Sequence, residues 1–146
     1  MNKSQIRKKI LKIRKQKKIH KFIFNFDLIL NILKRKKVLG KIIGGYYPYN
    51  YELDILQILE KFEKRKFIIT LPRIKKNSQM SFYQWSTNDP LAINKFGIPE
   101  PISKMVKHPD VLLVPIVAFD KNFNRIGYGG DFMIGILRKL ENEKKF

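Results

Sequence analysis

Short runs of apolar and β-branched residues alternate along this chain with stretches in which apolar residues recur at helical spacing. The helical stretches are residues 3–17, Ile19–Leu33 and Leu53–Phe62, and the strand-like runs are Lys41–Ile43, Phe67–Leu71, Met80–Trp85 and Val111–Phe119. The last run is apolar on both faces, which is typical of a central parallel strand. The alternation predicts an α/β fold, a layered domain with a mostly parallel central sheet flanked by helices. The length of 146 residues suits a single domain, 1–146.

The composition excludes several kinds of site. The chain has no cysteine, so it forms neither disulfides nor thiolate metal sites, as is typical of proteins of the reducing cytoplasm. His20 and His108 lie too far apart for ligand-like spacing, so we expect no zinc site. The longest apolar run, Val111–Phe119, is far shorter than the roughly 20 residues of a membrane helix. We therefore expect a cytoplasmic protein with no membrane partner.

The net charge of +19 leaves a nucleic-acid-binding function open. Lysine supplies most of this charge, and arginine, which reads bases and phosphates through a bidentate fork, is much rarer. Lysine, isoleucine, asparagine and phenylalanine all have AT-rich codons, so base composition alone can account for the excess. The aromatic residues are not interleaved with the basic runs as a stacking platform requires. A basic nucleic-acid-binding protein is therefore the alternative, and polyanionic small ligands would use the same charge.

A first candidate site follows the first strand-like run. Gly44–Gly45 ends the strand, Asn50 is the candidate cap of the next helix, and Glu52 and Asp54 open that helix. Ligands in open α/β sheets bind at such strand ends. The two acids either contact a ligand or complement the helix dipole from the first turn.

A second stretch combines Met80, Phe82 and Trp85 with the proline-rich segment Phe96–Pro101. These side chains would suit the wall of a pocket for a flat heteroaromatic ligand such as a pterin. By spacing alone, however, a place in the hydrophobic core explains them better.

A third stretch begins in the buried run and ends in glycines. Arg125 directly precedes the segment Ile126–Gly130, which reads Ile-Gly-Tyr-Gly-Gly. Glycines allow backbone N–H groups to approach phosphate oxygens closely. After a strand and beside an arginine, the pattern indicates a phosphate-binding loop.

In this order and spacing, the three stretches resemble the 5-formyltetrahydrofolate cyclo-ligase (5,10-methenyltetrahydrofolate synthetase) family. The likeness runs from Lys3 to about Gly130. Its most specific pieces are Gly-Ile-Pro-Glu-Pro at 97–101 and Pro-Ile-Val-Ala-Phe-Asp … Arg-Ile-Gly-Tyr-Gly-Gly at 115–130. The segment Lys3–Arg7 also matches the Lys-x-x-Leu-Arg with which the family opens.

The resemblance implies an ATP-dependent ligase that converts 5-formyltetrahydrofolate to 5,10-methenyltetrahydrofolate and releases ADP and phosphate. It implies ATP and Mg²⁺ as cofactors, a folate substrate that can carry a polyglutamate tail, and a monomeric protein. The implied ATP-binding residues are Lys3, Ser4, Gln5, Ile6, Arg7, Arg14, Arg125, Ile126, Gly127, Tyr128, Gly129 and Gly130. The implied substrate-binding residues are Tyr47, Glu52, Met80 and Phe96, and the implied catalytic residues are Arg125 and Tyr128.

After about residue 132 the chain departs from the family pattern. The family continues as Gly-Tyr-Tyr-Asp-Arg-Tyr-Leu, whereas residues 131–137 read Asp-Phe-Met-Ile-Gly-Ile-Leu. Ile134 stands where the family has a magnesium-binding Asp, and Gly135 where it has an Arg, so we expect no retained metal ligand. The chain also ends earlier than the family, by roughly a strand–helix–strand unit.

Two hypotheses account for the departure. Met133 is encoded by ATG and every Ile codon begins with AT, so a frame one base earlier places an Asp codon across Met133–Ile134. With suitable neighbouring codons that frame spells Tyr-Asp-Arg-Tyr, and a one-nucleotide slip would explain the missing motif. The other hypothesis is a truncated homologue that binds folate without turnover.

Overall fold

The computed structural model describes residues 1–17, 23–76, 79–128 and 135. Three helices and nine short strands form within these residues. The helices are α1 (Lys3–Lys17), α2 (Phe26–Arg35) and α3 (Leu56–Lys64). The strands are β1 (Ile42–Gly44), β2 (Ile68–Ile74), β3 (Met80–Gln84), β4 (Leu91–Ile93), β5 (Pro99–Pro101), β6 (Val106–Lys107), β7 (Val111–Leu112), β8 (Ala118–Phe119) and β9 (Arg125–Ile126).

Five strands form one mixed sheet in the order β6-β3-β2-β1-β7. β1 pairs in parallel with β2 on one side and with β7 on the other, so that Ile43 lies between Ile69 and Val111. β3 pairs antiparallel with both β2 and β6. Two hairpins, β4–β5 and β8–β9, lie outside this sheet. The predicted α/β class is confirmed, and its parallel pairing is centred on β1.

The core lies between this sheet and the helices α2 and α3. Phe62 of α3 is fully buried, and its ring meets those of Phe26 and Phe67 edge-on at centroid distances of 4.9 and 5.0 Å. Gly45 allows α3 to approach the end of β1, because a Cβ there would come within 2.7 Å of the Leu59 side chain. The close contact of helix and strand therefore depends on a glycine at this position.

α2 begins later than the apolar spacing predicts. The side-chain oxygen of Asn25 accepts the Leu28 N–H at 3.1 Å, which caps the helix immediately before Phe26. The predicted helix Ile19–Leu33 therefore starts too early, and its residues 19–22 lie outside the described part of the chain. Lys34 and Arg35 lie in its last turn, where they complement the helix dipole.

β2 runs through Pro72, although the sequence predicts that the strand ends there. Pro72 lies opposite Phe82 on β3. Hydrogen-bonded and non-hydrogen-bonded pairs alternate along an antiparallel ladder. The Trp85 N–H donates to Ile69 O at 2.9 Å, so Ile69 and Trp85 form a hydrogen-bonded pair and Pro72 and Phe82, three positions along, form a non-hydrogen-bonded pair. The missing N–H therefore faces away from β3, on the side where β1 has already ended. No ladder bond is lost, so the strand tolerates the proline.

The run Val111–Phe119 is not a central strand, which corrects the sequence prediction. Only Val111 and Leu112 pair with β1, and within the described residues β7 is an edge of the sheet. Pro115 has no N–H to continue a ladder. After it, the Val117 N–H donates to Ile126 O at 2.8 Å and the chain enters the β8–β9 hairpin. The apolar run thus belongs to two sheets.

No helix within the described ranges has the length and hydropathy needed to cross a bilayer.

Replacing Phe62 by Ala is expected to lower the free energy of unfolding by about 3–5 kcal/mol, because it leaves a cavity beside the rings of Phe26 and Phe67. Urea unfolding followed by the fluorescence of Trp85 measures this loss, and Phe62→Leu gives a milder case that stays folded. Phe119→Ala is the control, since Phe119 is 64% exposed and should change stability by less than about 0.5 kcal/mol. Equal losses in the two alanine variants would contradict this description of the core.

Candidate active site

The basic helix α1 begins at a reciprocal capping box. The Gln5 N–H donates to the Asn2 side chain and the Asn2 N–H to the Gln5 side chain, both at 2.9 Å. Gln5, one of the predicted ATP-binding residues, therefore caps its own helix. Lys3 and Ser4 beside it are exposed, and Ile6 is half-buried.

Two arginines of α1 contact the last part of the described chain. Arg7 and Arg14 are two helical turns apart and so share one face of α1. Arg7 Nε donates to the Gly127 carbonyl at 2.7 Å. Arg14 donates from Nη1 to the Tyr128 hydroxyl and from Nη2 to the carbonyls of residues 116–117, each at 2.9 Å. The structure thus brings together four residues that the sequence assigns to the ATP site.

The carboxyl of Glu52 is aimed by a strained turn rather than by a helix. The Glu52 N–H donates to Tyr49 O at 3.0 Å, and the Glu52 carboxylate accepts the Tyr49 N–H at 3.0 Å. Between them, Asn50 and Tyr51 have φ of 47° and 62°, the pattern of a type I′ turn. A tyrosine with positive φ is uncommon, and strain of this kind costs about 1–3 kcal/mol and clusters at functional sites.

This turn corrects two predictions. Asn50 does not cap a helix, since α3 begins at Leu56. Glu52 and Asp54 precede the helix instead of opening it, and Asp54 Oδ1 accepts the Leu56 N–H at 2.9 Å. Complementing the helix dipole from the first turn is therefore not the role of Glu52.

Glu52 shares its surroundings with Arg14, Tyr46 and Tyr128. Burial raises the pKa of the Glu52 carboxyl to about 7, although the Tyr49 N–H and the charge of Arg14 both oppose the shift. Burial is also the main cause that raises the pKa of Tyr46, whose hydroxyl donates to Leu53 O at 3.0 Å.

Tyr128 is linked to both charged members of this group. Burial raises the pKa of its hydroxyl, the charge of Arg14 lowers it and the charge of Glu52 raises it. The four side chains Arg14, Tyr46, Glu52 and Tyr128 are called the Arg14–Glu52 cluster below. Its members come from α1, the chain after β1 and the chain after β9, so three segments that are far apart in the sequence meet here.

The β4–β5 hairpin is fastened to the far end of β2. Glu100 accepts the Ile74 N–H at 3.0 Å and the Asn94 side-chain amide at 2.8 Å. Asn94 Oδ1 in turn accepts the Phe96 N–H at 2.8 Å, in a tight turn that Gly97 closes with φ of 76°. The hairpin that carries Phe96 is therefore attached at the end of β2 where Met80 pairs with Ile74 in β3.

Met80 thus lies opposite Ile74, four residues beyond Thr70, where the pairing of β2 with β1 ends. The contact of Met80 and Phe96 with a substrate stays a prediction. Phe82 and Trp85 are 4% and 5% exposed, which agrees with their interpretation as core residues. Tyr47 is half-buried and its predicted role is also untested.

Arg125 lies on β9 opposite Phe119. Among the described residues it has no hydrogen bond to the Arg14–Glu52 cluster, so its predicted phosphate contact remains a prediction. Gly129 and Gly130, and the substituted motif at residues 131–134, lie outside the described part of the chain.

Three contributors were missed by the sequence analysis. Tyr46 is buried, whereas its neighbour Tyr47 is only half-buried. The one signal that distinguishes them is the alternation of side chains along extended backbone, which puts Tyr46 on the same face as Gly44. Arg73 donates to the carbonyls of Pro101 and Ser103 at 3.0 and 3.2 Å and so holds the second hairpin strand. The third, Asn94, carries no motif that marks it as a turn-forming side chain of this site.

No group of three or more His, Cys, Asp and Glu side chains converges within the described ranges.

The family model for 5-formyltetrahydrofolate cyclo-ligases matches residues 1–145 of this chain. The chain belongs to the 5-formyltetrahydrofolate cyclo-ligase family. The resemblance noted from the sequence motifs is therefore confirmed over most of the chain.

The relatives carry the same family name. The 5-formyltetrahydrofolate cyclo-ligase of Haemophilus influenzae is 26% identical over 121 residues, which cover 78% of this chain and 64% of that protein. That of Escherichia coli K12 is 25% identical over 114 residues, or 73% of this chain and 63% of that protein. The match thus spans less than two thirds of the length of these curated relatives.

Two solved structures share the fold. The 5,10-methenyltetrahydrofolate synthetase of Aquifex aeolicus has a TM-score of 0.68 and 26% identity, covering 94% of this chain and 73% of that one. The Mycoplasma pneumoniae synthetase has a TM-score of 0.63 and 19% identity, with 95% and 79% coverage, and shows the fold alone. Both agree with the α/β class read from the sequence.

Replacing Glu52 by Gln is expected to stabilise the protein above pH 7 by about 2 kcal/mol and to leave it unchanged near pH 4. Because the folded pKa of about 7 exceeds the ordinary 4.5, the folded state binds more protons between these values. Its free energy of unfolding therefore falls as the pH rises through this window. Urea unfolding at several pH values measures the difference, and Glu60→Gln, at an exposed position of α3, is the control. A constant difference between wild type and Glu52→Gln at all pH values would contradict the raised pKa.

Proposed function

We propose that this chain binds 5-formyltetrahydrofolate and ATP and forms 5,10-methenyltetrahydrofolate, ADP and phosphate. Family membership supports the ligase class, and the Arg14–Glu52 cluster is the observation that carries the proposal. In this cluster the Glu52 carboxyl, whose pKa is raised, lies near Arg14 of the basic helix α1 and near Tyr128, where the glycine-containing loop begins. A polar folate group and a polyphosphate would each find a matching surface at adjacent positions.

The proposed reaction has two steps. In the first, the formyl oxygen of the folate attacks the γ-phosphorus of ATP, the bond to the β-phosphate oxygen breaks, and ADP leaves. In the second, N10 attacks the activated formyl carbon and loses its proton, while the former formyl oxygen departs as inorganic phosphate. Protein side chains form no covalent bond, so their work is positioning and neutralisation of charge.

The phosphate side of the site is assigned to α1 and the loop beginning at Gly127. Arg7 donates from Nε to the Gly127 carbonyl. Within the described residues no hydrogen bond uses its two terminal nitrogens. These can form the paired N–H bonds that arginine makes with phosphate. Lys3 lies exposed one turn earlier and adds positive charge. We assign Arg125 and the two glycines after Tyr128 to the same ligand by family resemblance.

The folate side is assigned to Glu52. A carboxyl with a pKa of about 7 is present in both protonation states at neutral pH, so it can donate a hydrogen bond to the pterin or formyl region or accept one from it. Tyr47, Met80 and Phe96 are assigned to the ring system by family resemblance and would supply apolar surface for it. For the whole protein the same proposal implies a monomeric, cytoplasmic enzyme. It would use magnesium with ATP and accept folates that carry polyglutamate tails.

The decisive test is turnover. Purified protein is mixed with 5-formyltetrahydrofolate and Mg-ATP, and the absorbance of methenyltetrahydrofolate is followed beside a variant carrying Met133→Tyr, Ile134→Asp and Gly135→Arg. Turnover by the native chain supports the proposal and shows that the family's Tyr-Asp-Arg is dispensable here. Turnover by the variant alone supports the folate assignment and locates a defect at 133–135. The proposal would be overturned if neither protein turned over or bound folate. Steeply salt-dependent binding to arbitrary DNA would then favour the nucleic-acid alternative.

Glu52→Gln is expected to weaken 5-formyltetrahydrofolate binding by about tenfold, since a hydrogen bond involving a charged group contributes roughly 1.5–3 kcal/mol. Equilibrium dialysis measures the dissociation constant, and ATP affinity should change by less than about threefold because Glu52 faces the folate side. Glu60→Gln is the matched control and should leave both affinities unchanged. Loss of ATP affinity instead of folate affinity would show that Glu52 is assigned to the wrong ligand.

A further inference from the structure

The two arginines that α1 directs toward residues 116–128 are bonded in different ways. Arg7 uses only its Nε in the contacts made by the described residues, with Gly127 O at 2.7 Å. Arg14 uses both terminal nitrogens, and three protein oxygens at 2.9 Å accept from them. Residue type and helix face are the same, so this difference in bonding distinguishes their roles.

Phosphate recognition by arginine depends on a fork of two parallel N–H groups. In Arg14 the terminal part of that fork is already committed to the Tyr128 hydroxyl and to the carbonyls of residues 116–117. A phosphate that took this place would leave half-buried backbone carbonyls without their donors, which is costly. Arg7 meets no such competition at its terminal nitrogens.

The acceptors of Arg14 lie at the two ends of one hairpin. Residues 116–117 immediately precede β8, and Tyr128 lies two residues beyond β9. The Val117 N–H bond to Ile126 O, at 2.8 Å, closes the hairpin between them. One guanidinium therefore fixes both ends of the segment that leads into the glycine-containing loop.

The Tyr128 hydroxyl that Arg14 holds is electrostatically coupled to Glu52. The titratable groups that act on Glu52 or share its surroundings are Arg14 from α1, Tyr46 after β1, Tyr128 after β9 and Asp54 in its own loop. Arg14 supplies the positive charge among them. Arg14 therefore both holds the hairpin that carries Tyr128 and lowers the pKa of the Glu52 carboxyl, against the larger effect of burial.

We propose that Arg14 is a positioning residue, which holds the hairpin ends and the Tyr128 hydroxyl against Glu52 and leaves phosphate contact to Arg7. This inference rests on the proposed folate reaction. It assigns Arg14 a role other than the phosphate contact that family resemblance implies.

The test compares Arg14→Lys and Arg14→Gln with Arg7→Gln in steady-state kinetics. Arg14→Lys keeps the charge but places all its donors on one nitrogen, which cannot reproduce the two separate terminal nitrogens that reach the two hairpin ends. We therefore expect kcat to fall by about tenfold while KM for ATP stays within about threefold. Arg7→Gln is expected to do the reverse, raising KM for ATP by about tenfold or more. An Arg14→Gln variant with unchanged kcat and a KM for ATP raised as much as in Arg7→Gln would overturn the proposal.

Tyr128→Phe removes one of the three acceptors without disturbing the backbone carbonyls. If Arg14 acts through this hydroxyl, the kcat losses of Arg14→Lys and Tyr128→Phe should be less than multiplicative in the double variant. Fully multiplicative losses would show that Arg14 does not act through Tyr128. This variant also serves if Arg14→Gln fails to fold.

A second readout does not need turnover. Glutamate carrying a ¹³C-labelled side-chain carboxyl is incorporated, the Glu52 signal is assigned with Glu52→Gln, and its titration midpoint is followed by NMR. Arg14→Gln should raise the midpoint and Arg7→Gln should leave it in place, because only Arg14 faces Glu52. An unmoved midpoint in Arg14→Gln overturns the positioning role. If the wild type neither binds nor converts folate, the proposed function fails on its own test and this titration still decides the role of Arg14.

Discussion

The parallel pairing of β1 between β2 and β7 determines where everything else in this molecule lies. Parallel strands end at the same edge of a sheet, so the chain after β1 and the chain after β7 emerge side by side. The first carries Glu52 and the second carries the carbonyls of residues 116–117. β3 begins at Met80, opposite Ile74 and beyond the end of β1. A register change in β1 would separate Glu52 from the carbonyls of residues 116–117.

A second constraint comes from the balance of burial and charge at this edge. Removing a carboxyl from water favours its neutral form, whereas a nearby guanidinium favours the anion. At Glu52 burial is the larger effect, yet Arg14 lies close enough to oppose it. The turn with two consecutive positive φ angles holds the carboxyl in this position at a cost in backbone strain. Stability is thus given up at the point where the chain needs a particular side-chain direction.

The sequence predicted the elements whose signal is local. β-branched runs located β1 and β2, alternation located β3, and apolar spacing located α3 with two of its buried residues, Leu59 and Phe62. The meeting of Arg7, Arg14, Glu52 and Tyr128 could be predicted only through the family pattern, because their separation along the chain leaves no local trace. Where prediction failed, a competing interaction decided the structure. Asn25 capped α2 within a continuous helical period, and Pro115 divided an apolar run between two sheets.

The turn around Asn50 shows a different limit. Its residues are typical of a helix start, and nothing in their identity shows that Tyr51 adopts positive φ. Tertiary contacts, here the mutual bonds of Tyr49 and Glu52, override the intrinsic preference. The same holds for Pro72, whose missing N–H faces the open side beyond the end of β1. Sequence patterns therefore predict the strands of this fold better than the backbone that connects them to the site.

The contacts of α1 also determine the order in which the molecule can be completed. Arg14 bonds to partners 102 to 114 residues further along the chain, and closing so long a loop is a slow step in folding. During synthesis α1 leaves the ribosome well before its partners, which follow only when about a hundred further residues have been made. A domain emerging at roughly 5–20 residues per second leaves this helix exposed for several seconds. The basic surface of α1 is consistent with this delay, since like charges keep nascent chains apart until their own later segments arrive.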